Sequence, residues 1–516
     1  MILVLLTSLR IFDNSFWLDE CYSILATDKS YSEIIEYLRN SDLHPPLYYF
    51  FAKAMADVFG HTPLVFHLTS FIPYLLTIIA CLTLVRERFG NAAALIVMLC
   101  ASVLPAAYVF AVEVRMYEWG MFFTLLCLIH AHGVINVGGR PGYRDALLLG
   151  LYAVLASYTH FYCIVSAAMI MLALLAAGCL WKREVVRRSL LGLAVFLAGC
   201  SPMLFMGLSM LGDVPDSFWI TSVPDVFQML GYVFGSREEL LLTPVFFFLA
   251  IVLIALYGEF GRGDLIRRGM LDRPEGEERP TGDGMFLMVC AFCVFGTIIV
   301  GYAASIVIRP LFTFRYLYPA TVAAWLMLGM AIFKFKVGMR LLKIVVCVLI
   351  VFFAPAYAYF AVDDYRGAVE TDETLKATRG ISEGDHIVTD ALKWPEVQYY
   401  YPGTTYDVFM WKSFSPDMLD PGAQNWLILE RGMDERMGKR LSDAGYGYEP
   451  VHEGGSLAKY PVNVYRLVPY RRCGGFRLVY LRPIGSGMRW LFFAVSSAGC
   501  STEHTGSPCA TCSSGR

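Results

Sequence analysis

The sequence predicts a polytopic α-helical membrane protein of about eleven spans, followed by a small extracytoplasmic α/β domain. Three observations predict it. Of 516 residues, 57% are hydrophobic and only 17% are charged, far more apolar side chain than a soluble core of this length encloses. The apolar residues fall in runs of roughly 20, the length that crosses about 30 Å of hydrocarbon while a helix satisfies every backbone group. After Val362 the composition becomes that of a soluble domain. The aromatic fraction of 15% suits interfacial belts and sugar-stacking surfaces alike and decides nothing, and a net charge of -2 gives no sign of a nucleic-acid partner.

The chain opens on MILVLLTSL, too short to cross by itself. It reads as the end of a first span or as an interfacial segment; a signal peptide is disfavoured, because no basic region precedes it and no small-residue cleavage site follows. Uninterrupted apolar runs predict spans at 64–85, 91–111, 116–135, 145–163, 164–181, 189–211, 240–258, 285–308, 317–333 and 342–362. Lys and Arg mark every second connection: Arg86 and Arg88, Arg140 and Arg144, Lys182 to Arg188, Arg262 to Arg273, and Lys334 to Lys343. Those loops are expected in the cytoplasm, which places the first outer loop, residues 10–63, and everything after about residue 363 outside.

The transmembrane domain is therefore read as 1–362 and the α/β domain as 363–470. In the latter, GDHIVTDALKWPEVQYYY reads as strand, turn and helix, and QNWLILERG with DERMGKRLSDAGY as a second strand and helix. Residues 471–516, rich in Gly and Ser and holding Cys473, Cys500, Cys509 and Cys512, read as disordered or as a reading-frame artefact. Their CATC lacks the second ligand pair a zinc site needs. Of the fourteen cysteines, Cys81, Cys100, Cys127 and Cys347 fall inside apolar spans, where they act as small hydrophobes. Cys21 stands apart, in the outer loop beside Asp19 and Glu20.

Titratable groups gather on the predicted outer face. FWLDECYS supplies Asp19 and Glu20, SDLHPPLYYFF supplies Asp42 and His44, VEVRMY supplies Glu113 and Arg115, SYTHFY supplies His160, and IVIRPLFTFRYLYP supplies Arg309, Arg315 and Tyr316. Each has a plainer reading. Loop carboxylates are ordinarily solvated, Asp42 and His44 suit the start of a helix at Pro45, Glu113 and Arg115 suit an ion pair across a tight turn, His160 suits a backbone hydrogen bond, and the arginines suit interfacial anchoring. Their shared sidedness favours chemistry. A carboxylate near the interface can take a proton from an acceptor hydroxyl, while cations stabilise a departing lipid phosphate, which the planar arginine fork matches with two hydrogen bonds.

In order, spacing and sidedness, FWLDE, DLHPPLYYFF, VEVRMY, YTHFY and FRYLYP resemble the motifs of the GT-C membrane glycosyltransferases, in the branch of the protein O-mannosyltransferases and the lipid A aminoarabinose transferase, with bacterial family 39 nearest. The resemblance covers residues 10–335. It implies a GT-C fold in the cell membrane and a polyprenyl-phosphate-linked sugar donor, with a glycan, lipid or protein acceptor. It implies Asp19 as general base with Glu20 as companion. Asp42, His44 and Arg115 would line the same cavity, Arg315 would bind the lipid phosphate with Arg309 and Tyr316 beside it, and Glu113 and His160 would be the ligands of a divalent metal ion. The competing expectation is a transporter or flippase for a lipid-linked saccharide, using the same charges along a path.

Overall fold

The structure, a computed structural model, describes residues 2–136, 143–213, 220, 222–233, 282–334, 339–410, 413–457, 460–470, 472–473, 476–480 and 492–496. It divides into two units, one made of Met1–Asn14 with Tyr22–Asp364 and the other of Ser15–Cys21 with Tyr365–Arg516.

The first unit is helical. Its helices follow the apolar runs closely, with breaks that have local causes. Pro63–Val103 is helical over 41 residues, roughly 60 Å and twice the hydrocarbon thickness, but Gly90 at φ 86° interrupts it. That break falls where the sequence separates the runs at 64–85 and 91–111. The second run ends early, because Leu104 precedes Pro105 and is driven to an extended conformation, ψ 140°, after which Pro105–Phe110 forms a short helix. Tyr117–Ile135 follows as expected. The boundary expected at 163/164 lies instead at His160, between the helices Tyr143–Thr159 and Phe161–Trp181. Arg183–Asp213, Gly282–Val307 with a π-type turn at Phe292–Gly296, and Phe314–Lys334 follow among the described residues.

The expected span at 240–258 lies outside the described residues. The last apolar run, 342–362, is part of a longer helix, Met339–Ala377, that continues past the change of composition at Val362. Among the described residues, five helical stretches are long and apolar enough to cross a membrane.

Close helix approach relies on small residues. A Cβ on Gly329 of the Phe314–Lys334 helix would sit 2.5 Å from the Cα of Ala93, so glycine is what lets that helix meet Arg86–Val103 backbone to backbone.

In the second unit, five strands, β1 His386–Asp390, β2 Thr405–Phe409, β3 Asn425–Leu429, β4 Tyr446–Leu457 and β5 Tyr460–Pro469, form a mixed sheet in the order β2-β1-β3-β5-β4. β1 pairs in parallel with β2 and β3, while β5 is antiparallel to β3 and β4. β1 and β3 are buried at every position, as strands covered on both faces should be. Val388, Leu427 and Leu429 pack on one face with the helix Glu435–Asp443 through Met437 and Leu441. Ile387, Trp426 and Ile428 pack on the other with Val397 of the helix Trp394–Tyr400. Within 471–516 the described strands Arg472–Cys473, Phe476–Tyr480 and Phe492–Ser496 pair antiparallel, an arrangement the composition did not announce.

Candidate active site

In the helical unit a buried ion pair is the centre of the site. The helix Tyr31–Tyr37 starts from a capping box, with Ser30 accepting the Glu33 N–H at 3.4 Å and Glu33 accepting the Ser30 N–H at 2.8 Å. A π-type turn, Leu38–Asp42, follows it, and Leu43 then adopts a left-handed φ of 53°. This reverses the chain before Pro45 and Pro46 lead into the helix Leu47–Phe59. That helix has no side-chain cap, so Asp42 does not serve as one.

Its carboxylate instead receives both arms of Arg115, Nη1 at 2.9 Å and Nη2 at 3.1 Å, in a bidentate fork. The two side chains are only 7% and 2% exposed. Tyr49 Oη donates to the same carboxylate, and His44 Nδ1 lies 3.2 Å from Oδ1 while also donating to the Asp42 carbonyl. Arg115 Nη1 further reaches Ser23 Oγ at 3.2 Å, and Ser70 Oγ donates to the Arg115 carbonyl at 2.9 Å. Burial by itself would raise the Asp42 carboxyl, but the Arg115 guanidinium and then His44 outweigh it and hold the group well below the ordinary carboxylate range. Burial pushes the Tyr49 phenol up, which keeps it a donor.

Aromatic rings flank the pair. His160 caps the helix Phe161–Trp181, its Nδ1 accepting the Tyr162 N–H at 3.2 Å. Its ring lies 5.6 Å from that of His44, 5.6 Å from Tyr117 and 4.9 Å from Tyr316. Tyr162 stacks on Tyr316 at 5.3 Å. Arg315, at the start of Phe314–Lys334, is within electrostatic reach of His160, while Arg309 lies half-buried in the loop before that helix. The structure therefore brings Asp42, His44, Arg115, His160 and Tyr316 together from four separate stretches, with Arg315 nearby. Glu113 is buried two residues before Arg115, whose N–H donates to the Glu113 carbonyl at 2.6 Å.

Sequence reasoning missed several partners. Tyr49 stands in the same motif as Asp42, on the helix Leu47–Phe59 that begins after the chain reverses at Leu43, so no helical spacing announces their contact. Tyr117 and Tyr162 carried no charge to single them out. Glu118 is buried at 1% exposure inside an apolar helix, a depth at which an ionisable group carries meaning. Tyr318 Oη donates to Glu118 Oε1 at 2.5 Å, tying the helix Tyr117–Ile135 to the helix Phe314–Lys334.

The resemblance implies a metal at Glu113 and His160. Among the described residues no group of three or more His, Cys, Asp or Glu side chains converges to hold one, and His160 uses Nδ1 for its cap. A magnesium-type ion is commonly held by one or two protein groups, with water and substrate phosphate filling the rest of its shell, and no step below runs through one.

Asp19 and Glu20 belong to the other unit, in the segment Ser15–Cys21. Both lie in the first turn of the helix Leu18–Thr27. The Glu20 carboxylate accepts the Trp17 N–H at 3.2 Å, one half of a capping box, and Glu20 is 5% exposed. Cys21, the next residue along the same helix, is fully buried. Burial first, then the charges of Glu396 and Glu20, push its thiol well above the ordinary value and leave it inert.

Residues 43–206 match the family described as dolichyl-phosphate-mannose-protein mannosyltransferase. No curated protein matches the chain. Among solved structures, ArnT from Cupriavidus metallidurans in the apo state is similar with a TM-score of 0.58 at 11% identity, over 90% of this chain and 97% of that one. The same protein bound to undecaprenyl phosphate gives 0.52 at 13% identity, over 90% and 96%. At such identities the likeness is one of fold.

Proposed function

The chain has the GT-C membrane fold, a helical bundle with a C-terminal sheet domain, and on that premise we propose that it is an inverting glycosyltransferase moving a sugar from a polyprenyl-phosphate donor to an acceptor on the outer membrane face. One observation carries the reading: the cationic and aromatic cluster around Asp42 and Arg115 assembles from the motifs nominated for it, in a fold otherwise seen with undecaprenyl phosphate bound.

Asp19 is the proposed base. It takes the proton of the acceptor hydroxyl as that oxygen attacks the anomeric carbon; the bond from that carbon to the phosphate oxygen breaks, and polyprenyl phosphate leaves with the electron pair. A single displacement inverts the configuration. Glu20, engaged with the Trp17 amide, holds its own helix start. Because the Arg115 fork is on Asp42, that pair is assigned to the framework of the site and the donor phosphate to Arg315, with Arg309, Tyr316, His44 and His160 around it.

Purified protein given a panel of polyprenyl-phosphate sugars should release polyprenyl phosphate and form product. Translocation across proteoliposomes without chemical conversion would instead mark a transporter.

On this reading Arg315→Lys keeps the charge and loses the bidentate fork, so donor turnover falls, and Arg315→Ala falls further. Loss of a charge-assisted contact that tightens as the phosphate departs costs roughly 2 to 4 kcal/mol, or about 30-fold to 1000-fold in rate. Arg309→Ala combined with Arg315→Ala should be non-additive if both hold one phosphate. Near-normal turnover in Arg315→Ala would move the phosphate site elsewhere.

The outer placement of the sheet domain has its own check. Arg187 and Glu449 are both exposed, and in intact cells an impermeant thiol reagent should label Glu449→Cys and spare Arg187→Cys. The reverse pattern would call for a cytoplasmic, nucleotide-activated donor.

A further inference from the structure

We infer that Tyr400, on the short helix Trp394–Tyr400 of the sheet unit, is a positioning residue for the segment that carries Asp19. The inference rests on the reading of Asp19 as general base and gives the sheet domain a part in the chemistry.

One hydroxyl holds both polar groups of one backbone residue. Tyr400 Oη accepts the Phe16 N–H at 2.6 Å and donates to the Phe16 carbonyl at 3.0 Å. The same carbonyl is approached by Cys21 Sγ at 3.8 Å. The Phe16 side chain is fully buried, and its ring meets that of Tyr399 edge-on at 5.4 Å. Phe16 lies two residues ahead of the helix Leu18–Thr27.

The next links are closed as well. The Trp17 N–H goes to Glu20 and the Trp17 carbonyl to the Cys21 N–H at 2.9 Å. With Phe16 clasped and the first helical turn hydrogen-bonded, the direction in which Asp19 leaves the backbone is set three residues from Tyr400's grip.

Tyr400 is itself well seated. Its helix begins beside Lys393, whose Nζ lies 2.8 Å from Glu396 with the two side chains 2% and 0% exposed, and Val397 packs into the sheet core. Burial pushes the Tyr400 phenol well above its ordinary value, so it stays a donor throughout the neutral range. A base displaced by about 1 Å can lose on the order of 100-fold in rate, which is why a loop carboxylate needs such a hold.

Tyr400→Phe keeps the ring and removes both hydrogen bonds. In full-length protein, hydrogen exchange of the peptide spanning Ser15–Cys21 should quicken while the strands of the sheet exchange as before. On polyprenyl-phosphate sugars, kcat should fall roughly tenfold with donor KM unchanged. In an Asp19→Asn background the same change should cost nothing more, because a residue that acts through Asp19 has nothing left to position. Unchanged exchange in Tyr400→Phe would overturn the clasp. Unchanged kcat, or a loss that multiplies with that of Asp19→Asn, would overturn the positioning role. Wild-type inactivity across the whole donor panel would overturn the transferase reading and the catalytic half of this inference with it, while the exchange result would still decide the clasp.

Discussion

Asp19→Asn is expected to lower turnover of a polyprenyl-phosphate sugar by roughly 10²- to 10⁴-fold while the protein unfolds at an unchanged temperature. The carboxamide matches the carboxylate in shape and cannot take the acceptor's proton. Glu20→Gln is the control. Its amide oxygen can still accept the Trp17 N–H that Glu20 holds in the first helical turn, so a small effect is expected. The two adjacent acids are thereby separated by role, and single-turnover rates on saturating donor are the measurement. Wild-type turnover in Asp19→Asn would remove Asp19 from the chemistry.

Asp42→Ala should lower folding stability by about 3 to 5 kcal/mol, because it leaves the Arg115 guanidinium, 2% exposed, without the carboxylate that takes both its arms. Removing both partners, Asp42→Ala with Arg115→Ala, should cost less than the sum of the two single changes. Acid supplies a second readout with a definite sign. The folded carboxyl titrates well below its unfolded value of about 3.9, so the pair's contribution is complete above that value and is lost as pH falls through the folded one. The gap between wild type and Asp42→Ala should therefore be constant from about pH 5 upward and narrow below about pH 4. Unfolding in detergent followed across that range checks it. A gap that widened in acid would mean that Arg115 is not what holds Asp42.

The helices were legible because membrane spans announce themselves by composition over roughly 20 residues, whatever their neighbours. Their ends were less so. His160 starts a helix by accepting the Tyr162 amide, a local bond that hydropathy does not register. The helix Met339–Ala377 runs on through DDYRGAVETDETLKA, where polar helix looks like the end of a span. In the sheet domain β1 and β3 were plain as short apolar runs, whereas β4, YGYEPVHEGGSL, has no alternation to read and is bent by two register shifts.

The site divided along the same line. Its residue types and their order could be read, but not who meets whom. Arg115 looked like the partner of Glu113 in its own turn, and its fork lies on Asp42, 73 residues away in sequence. Tyr400 lies 384 residues from the peptide it clasps. Contacts of that range come from packing, which no local pattern encodes.

Leu43 stands where glycine would fit more easily. At φ 53° a leucine carries a penalty of roughly 1 to 2 kcal/mol against the right-handed region, a cost that glycine escapes because it lacks a Cβ. Glycine would also admit many other backbone conformations between Asp42 and His44. With leucine there, and prolines at 45 and 46, the stretch has few alternatives once the chain is folded. The disorder of this loop is thus lost during folding, so a donor of the proposed class has little of it left to quench on binding.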